Sequence, residues 1–189
     1  MAEITCSLEE ILNPTICNDR GGIRAAYWFE RDKVDWDAML ADPAQFDPVN
    51  HLILGYTMIG GAVMNKLTFE RKQAFYDFTY TSDTDVYTLL ITMFFKAKDS
   101  ARRLKLQQAI ACCDIGIHIY SNDGTQRVVG IDYNGDVIEQ QLEALRVTRH
   151  LDSGGQLGTS KARDEMDLGG EAFFAPLFAT VPEANLPLA

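Results

Sequence analysis

Two neighbouring segments that are crowded with aromatic and β-branched residues constrain the fold of this chain most. Residues 75–80 read Phe-Tyr-Asp-Phe-Thr-Tyr, and residues 86–95 read Val-Tyr-Thr-Leu-Leu-Ile-Thr-Met-Phe-Phe. Such side chains pack well on the pleated surface of a β-sheet. Residues 81–85, Thr-Ser-Asp-Thr-Asp, lie between the two segments and are typical of a polar turn. The sequence therefore predicts one long β-hairpin over residues 70–96.

Further strand signals precede and follow this hairpin. Residues 23–30 are rich in aromatic side chains and follow a Gly-Gly pair, which is a turn signal. Residues 51–58 and 62–69 are apolar and are separated by a second Gly-Gly pair. This arrangement indicates another hairpin. Residues 35–48 contain two prolines and four aspartates, which predict a loop with one helical turn after Val34.

The second half of the chain continues the β pattern. Residues 115–120 place isoleucine at every second position, the Asn-Asp-Gly sequence at 122–124 is a tight-turn signal, and residues 127–133 provide the answering strand. Residues 142–148 fit either a continuing strand or a short helix. Residues 166–172 indicate a last strand.

One helix interrupts the strands. Asp99 or Ser100 can cap its first turn, and residues 101–111 consist mainly of good helix formers. We expect the helix to end at Cys113. Leu106, Ile110 and Cys113 form its apolar stripe by spacing, and Arg102, Arg103 and Lys105 then face water or a partner.

The combined signals predict one domain over residues 1–189, mainly β with one α-helix: a β-sandwich or barrel that carries a long hairpin and extended terminal arms. A chain of 189 residues with 47% hydrophobic content can fill a single core. The predicted arms are residues 1–20 and residues 173–189. The second arm contains three prolines, so we expect it to be extended and to order only by docking on adjacent copies.

The charge balance excludes nucleic-acid binding through a concentrated basic surface. The net charge is −10, whereas proteins that grip nucleic acid concentrate Lys and Arg on one surface. The charge is also uneven: −6 over residues 1–50, +3 over residues 51–113 and −7 over residues 114–189. A basic central block between acidic ends favours head-to-tail pairing of copies of the chain.

The cysteines indicate neither a disulfide framework nor a metal site. They are Cys6, Cys17, Cys112 and Cys113, with no CxxC pair and no histidine at zinc-ligand spacing. We therefore expect free, buried thiols in a reducing compartment.

Three residues form the only candidate for nucleophilic chemistry. Cys113 and Asp114 precede a predicted strand that contains His118, and a thiol beside a histidine can act as a nucleophile. On an extended strand, however, five residues separate Cys113 from His118 by about 16 Å. The favoured interpretation of His118 is a solvent-facing or interface residue, on the face opposite the isoleucines.

Acidic pairs and a glycine-rich segment are weak signals. Asp35/Asp37, Asp83/Asp85 and the acids at 164–167 lack the spacing of a calcium loop. Residues 152–161 contain three glycines, but no lysine stands where a phosphate-binding loop needs one. The sequence therefore predicts no enzymatic activity and assigns no catalytic, cofactor-binding or metal-binding residue.

Membrane insertion and secretion are not indicated either. No run of about 18 uncharged apolar residues is present. The first residues, Met-Ala-Glu-Ile-Thr, lack the basic and then apolar pattern of a secretory signal. We expect the protein to remain in the compartment where it is made.

Over residues 20–175 the chain resembles the tail tube proteins of long-tailed bacteriophages and, more loosely, the tube proteins of contractile injection machines. The resemblance rests on the order of five features: the strand at 21–30 that begins with Gly-Gly, the long hairpin at 70–96, the helix at 98–113, the Asn-Asp-Gly hairpin at 115–133, and a glycine-rich loop before the closing strand at 165–172.

The resemblance implies a self-assembling structural virion protein. Six copies would form a ring whose sheets join into a continuous inner barrel, and rings would stack into a tube through which double-stranded DNA passes without specific binding. It further implies other tail proteins as partners, such as the tape measure and terminator, and a location in the virion tail after assembly in the host cytoplasm. Two alternatives remain: another assembly protein (a tail terminator, head–tail joining protein or adaptor), and a cytosolic β-barrel enzyme or ligand binder.

Overall fold

The computed structural model describes residues 22–69, 74–96, 100–135, 137–139, 143–153 and 163–188. The predicted N-terminal arm, residues 1–20, lies outside this part of the chain. The described residues confirm a mainly β fold with one main helix, arranged as two sheets and a small two-stranded ribbon.

The strands, in chain order, are β1 (Ile23–Glu30), β2 (Phe46–Asp47), β3 (Leu52–Ile53), β4 (Asn65–Thr68), β5 (Ala74–Thr81), β6 (Val86–Lys96), β7 (Ile115–Ser121), β8 (Gln126–Val129), β9 (Asp132–Tyr133), β10 (Ile138–Glu139), β11 (Glu143–Ser153), β12 (Arg163–Ala172) and β13 (Leu177–Ala179). The helices are α1 (Trp36–Ala41) and α2 (Ser100–Ile110), and short 3-10 turns occupy Arg31–Lys33, Ile59–Gly61 and Glu183–Asn185.

The long hairpin predicted over residues 70–96 is confirmed for its described part. β5 and β6 pair antiparallel from Ala74 opposite Met93 to Thr81 opposite Val86. The connecting turn spans 82–85, as the polar sequence indicated, and Asp85 there adopts a positive φ of 60°. Asx residues tolerate this conformation better than most.

The larger sheet has seven strands in the order β2-β3-β13-β8-β7-β1-β4. β1 pairs with β7 on one side and with β4 on the other. The hairpin predicted between residues 51–58 and 62–69 is therefore wrong: β3 pairs with β2 and β13, whereas β4 pairs with β1. The glycine turn at 60–61 exists, but the segments on its two sides find their ladder partners in different strands.

A hydrophobic core fills the space between the two sheets. The larger sheet contributes Trp28, Ile117 and Ile119, and the smaller sheet contributes Ile91 and Met93, all without solvent exposure. The helix α2 adds Leu106 and Ala109. The predicted apolar stripe on this helix was partly wrong, because Ile110 and Cys113 are exposed and Ala109 and Cys112 are buried in their place.

A second core covers the opposite face of the larger sheet. Tyr27 and Phe29 point into it, and Met39 of α1 and Phe46 of β2 pack against the sheet there. The short helix α1 agrees with the helical turn expected after Val34, and its first turn is capped by the Asp35 side chain, which accepts from the Ala38 N–H at 3.0 Å. The larger sheet is thus buried on both faces.

The C-terminal segment completes this second core. β13 pairs with β3 and β8, and Val181 and Leu186 are buried against the sheet. The expectation that residues 173–189 form an extended arm without an element, ordered only on adjacent copies, is therefore wrong for its described part. The segment docks on its own chain because the apolar side chains of the larger sheet offer it a complementary surface.

Candidate assembly surface

The smaller sheet has four strands in the order β11-β12-β6-β5. Its strands alternate in direction, with β12 antiparallel to β6 and to β11. One face buries Leu89, Ile91 and Leu168 in the core between the sheets. The other face, which we call the open face, carries Phe75, Asp77 and Leu90 toward solvent, whereas Thr92 and Glu165 on the same face are buried. Residues 142–148, which fitted either a strand or a short helix by sequence, belong to the strand β11 from Glu143 onward.

Both edges of this sheet are long and have no second strand among the described residues. The edge strand β5 has eight residues and the edge strand β11 has eleven. The edge strands of the larger sheet are much shorter, with two residues in β2 and four in β4. Long edges present rows of backbone donors and acceptors to other chains, and most proteins shorten, bend or cover them. Register shifts interrupt β11 between Glu143 and Arg146 and between Val147 and Arg149, whereas β5 pairs with β6 without a shift. Among the described residues, no further strand pairs with either edge.

Apolar side chains lie on the open face near each edge. Phe75 of β5 is 45% exposed, and Leu90 and Leu151 are each 39% exposed. The rings of Phe75 and Phe94 are 6.1 Å apart between centroids. Exposed apolar side chains that lie together in one patch often mark a protein–protein contact, whereas single ones are ordinary.

The central strand β12 adds a line of carboxylates to the open face. Register places Glu165, Asp167 and Glu171 on this face, opposite Phe94, Thr92 and Thr88 of β6. Arg149 of β11 bridges two of them: it donates to Glu165 and, at 3.2 Å, to Asp167. These contacts raise the pKa of Arg149, with the hydrogen bond to Glu165 as the largest cause.

A cavity of about 280 Å³ lies beside β5. Its lining combines Phe75 and Tyr76 of β5 with Gly22, Ser121 and Asp123 at the ends of β1 and β7. The Ser121 hydroxyl lies 3.4 Å from the Tyr76 hydroxyl. Among the described residues that line the cavity, Asp123 is the one carboxylate.

His118 is placed differently from the sequence-based expectation. It does lie on the face of β7 opposite the isoleucines, but the second core covers it and leaves it no solvent exposure. Its Nδ1 lies 2.9 Å from the Tyr56 hydroxyl and its Nε2 lies 3.0 Å from Gln126 Oε1. Burial lowers the pKa of His118 to about 4. The interpretation as a solvent-facing or interface residue is wrong.

The structure does not bring Cys113 and His118 into contact with each other. Cys113 is free and exposed at the end of α2, while His118 contacts Tyr56, Gln126 and Tyr120 in the interior. Asp114 is paired with Arg31, whose Nε lies 2.9 Å from its carboxylate. A thiolate mechanism needs the thiol and imidazole within hydrogen-bond reach, which these contacts do not provide.

The cysteines also depart from the expectation of four free, buried thiols. Cys112 is disulfide-bonded, and Cys113 is exposed rather than buried. The remaining two cysteines lie outside the described residues. Two adjacent cysteines after α2 thus differ, since Cys112 forms a disulfide and Cys113 is a free thiol.

The weak acidic signals have structural roles. Asp35 caps α1, and Asp85 accepts from the Tyr80 hydroxyl in the turn of the long hairpin. Asp164 and Glu165 are both buried, and Arg149 binds Glu165 and Asp167. In the part of the chain that the structure describes, no group of three His, Cys, Asp or Glu side chains is placed to hold a metal ion. Most of the glycine-rich segment at 152–161 lies outside that part.

The exposed edges are the feature that sequence patterns missed. The β5 segment was recognised as a strand, but a strand signal does not reveal whether the strand is central or at an edge. One usable signal was present: the polar residues Arg146, Arg149 and His150 make β11 less continuously apolar than the doubly buried β7.

No family model, curated protein or solved structure matches this chain. Within the described ranges, no helix combines the length and apolar character needed to cross a lipid bilayer.

Proposed function

We propose that this chain is a non-catalytic structural protein of a bacteriophage virion, the subunit of a tail tube. Six copies close into a ring, and rings stack into the conduit through which the genome is ejected. The observation that carries the proposal is the smaller sheet, with its open face and two long edges that lack partners in the described chain. Ring closure removes both edges at once, because the β5 edge of each copy meets the β11 edge of the next.

The strand directions suit such a joint. The four strands alternate in direction, so β5 and β11 run oppositely within one chain. Rotation about an axis along the strands leaves the direction of each strand unchanged. A β5 edge that meets the β11 edge of the next copy therefore forms an antiparallel pair, and the alternation continues around the ring.

The second support is the electrostatic character of the open face. If this face lines the conduit, the negative charge of its carboxylates on β12 repels the phosphates of passing DNA. Arg149 offsets part of this charge through its contacts with Glu165 and Asp167. An overall charge of −10 agrees with a conduit that DNA passes without specific binding.

The proposal also specifies partners and location. The tube would contact other tail proteins, such as a tape measure within its lumen and a terminator at its end. It would assemble in the host cytoplasm and then reside in the virion tail. Because the β-domain alone supplies the joint, no cofactor is required.

The native mass of the purified protein tests the proposal. We expect a species of six times 21.1 kDa, or polymers of it, and negative-stain images that show rings and tubes. Rings that never stack at any concentration would instead favour a terminator or joining protein. Particles of 21.1 kDa under every assembly condition would refute ring formation.

A further inference from the structure

The two exposed edges of the smaller sheet carry opposite charges at matching positions. We propose that Asp77 of one copy pairs with Arg146 of the next copy and that this contact sets the register of the ring. The inference rests on the proposed function and names the residues through which its edges would join. The partner is a second copy of this chain.

Asp77 and Arg146 lie at the two ends of one row of side chains. Asp77 pairs with Leu90, Leu90 pairs with Gly169, and Gly169 pairs with Arg146. Residues in one row point to the same face of a sheet, which here is the open face. Both end residues are exposed. When copies join without a stagger, the row of one copy continues into the row of the next and brings these two side chains together.

The charges on the two edges differ in sign. Asp77 is the only charged residue of β5, which has no basic residue. β11 places Arg146 and Arg149 on the open face, and Arg149 already binds Glu165 and Asp167. An arginine has five N–H donors in a planar fork. Arg146 can therefore donate to a carboxylate of a neighbouring copy in addition to its contacts within its own chain.

This distribution is the reverse of the one that the sequence suggested. β5 belongs to the basic central block, yet the charge on its edge is the carboxylate of Asp77. β11 belongs to the acidic last third, yet its open-face positions hold two arginines and one carboxylate, Glu143. Local charge at the joint, and not the charge of each block, decides which edges attract each other.

The same charges disfavour the competing ways of covering the edges. A symmetric β5–β5 joint centred on Asp77 would place it opposite Asp77 of the second copy. A symmetric β11–β11 joint centred on Arg146 would likewise place two Arg146 side chains together. Like charges opposite each other destabilise a pair of strands, whereas opposite charges stabilise it. The unlike joint is also the one that closes into a ring, because it is a head-to-tail contact.

Any stagger at this joint is by an even number of residues, because an odd shift would turn each side chain to the wrong face. A shift by one row of the open face would move Asp77 toward Arg149 or toward Glu143 instead of Arg146. The choice between Arg146 and Arg149 therefore reports the register directly.

Charge reversal tests the pair. We expect Asp77→Arg and Arg146→Asp each to reduce the amount of ring and tube by at least tenfold, measured by sedimentation at low salt. The double variant D77R/R146D should restore assembly to within threefold of the wild type. D77R/R149D, the matched control, should not. Circular dichroism and thermal unfolding of the unassembled variants check that each chain still folds.

A cysteine pair provides an independent readout that does not depend on charge. Asp77→Cys combined with Arg146→Cys should give a ladder of cross-linked copies up to a hexamer on oxidation, because paired strands bring Cα atoms within the reach of a disulfide. The single variants D77C and R146C retain the exposed Cys113 and control for cross-links through it.

The outcomes separate the two proposals. Wild-type rings without rescue in D77R/R146D and without cross-linking in D77C/R146C would overturn the Asp77–Arg146 pair and leave the tube proposal standing. Rescue of D77R by R149D instead would also overturn the stated register. A wild type that stays at 21.1 kDa would overturn both proposals.

Discussion

The side chain of His118 is held by Gln126, whose Oε1 lies 3.0 Å from the histidine Nε2 and also accepts from the Val181 N–H at 2.9 Å. A backbone N–H must donate, so the shared atom is the amide oxygen and Nε2 carries the proton. Nδ1 then accepts from the Tyr56 hydroxyl at 2.9 Å. This neutral tautomer links β7, β8 and the C-terminal segment within the second core.

This arrangement makes stability depend on pH. The pKa of His118 is about 4 in the folded chain, lowered by burial from an ordinary value of 6.5. Between these values the unfolded chain binds the proton more strongly, so stability is fully present above pH 6.5 and falls as the pH falls toward 4. We expect this histidine to account for a loss of roughly 3 kcal/mol, as judged from the pKa difference.

Urea unfolding between pH 4 and 7.5 measures this effect. Because carboxylates also titrate in the lower part of this range, His118→Gln is compared with the wild type at each pH. The variant should be less stable at pH 7.5 and should show a smaller decrease on acidification. Equal pH dependence in the two proteins would exclude His118 as the cause.

Glu183 fastens the C-terminal segment to β1 and β4. It accepts from Lys66 and from the Tyr27 hydroxyl, and an Arg24 guanidinium nitrogen lies 4.0 Å away. These groups, Lys66 first, lower the pKa of Glu183. We expect Glu183→Gln to destabilise the fold by about 1 kcal/mol, a modest value because solvent screens the partly exposed pair.

A double-mutant cycle of Glu183→Gln and Lys66→Met, read by urea unfolding, isolates the pair. The combined loss should be smaller than the sum of the single losses. Strict additivity would mean that the two side chains do not interact in solution.

Two glycines with the same sign of φ differ in what surrounds them. Gly124 has a φ of 90° and open space around the position of a Cβ, whereas at Gly130, with a φ of 98°, a Cβ would lie 2.2 Å from the carbonyl oxygen of Ile115. We expect Gly124→Ala to cost about 1 kcal/mol through backbone strain alone. Gly130→Ala should cost about 2 kcal/mol more, because the backbone of β7 must move.

Thermal and urea unfolding of the two alanine variants provide the comparison. Equal losses would show that β7 yields to the added methyl group without strain.

Asp132 holds the chain where it leaves β12. Its buried carboxylate accepts from the N–H groups of Phe173 and Phe174 at 2.9 and 3.1 Å, one on each oxygen. Asparagine offers only one acceptor in this position, so Asp132→Asn leaves one N–H opposed by an amide donor. We expect a loss of about 2 kcal/mol. Asp32→Asn, at a well exposed carboxylate, is the control and should change the unfolding free energy by less than about 0.5 kcal/mol.

Local patterns in the sequence determined most of the longer strands and the position of the helix, but not the short strands β2 and β13. The aromatic and β-branched runs at 75–80 and 86–95, with a polar turn between them, specify the β5–β6 hairpin because all of its contacts are close in sequence. The same holds for the β7–β8 hairpin around the Asn-Asp-Gly turn. The helix at 101–111 follows from helix-forming residues behind a polar cap, and α2 occupies nearly the same positions.

Only the tertiary structure decided what covers each face. Alternation along β7 separates the isoleucines from His118, but a period of two residues gives the two faces and not their surroundings. The second core that buries His118 is built from α1, β2, β3 and the C-terminal segment, which are distant in sequence. The pairing of β3 with β13 and the unpaired edges β5 and β11 depend likewise on long-range contacts, which local composition does not encode.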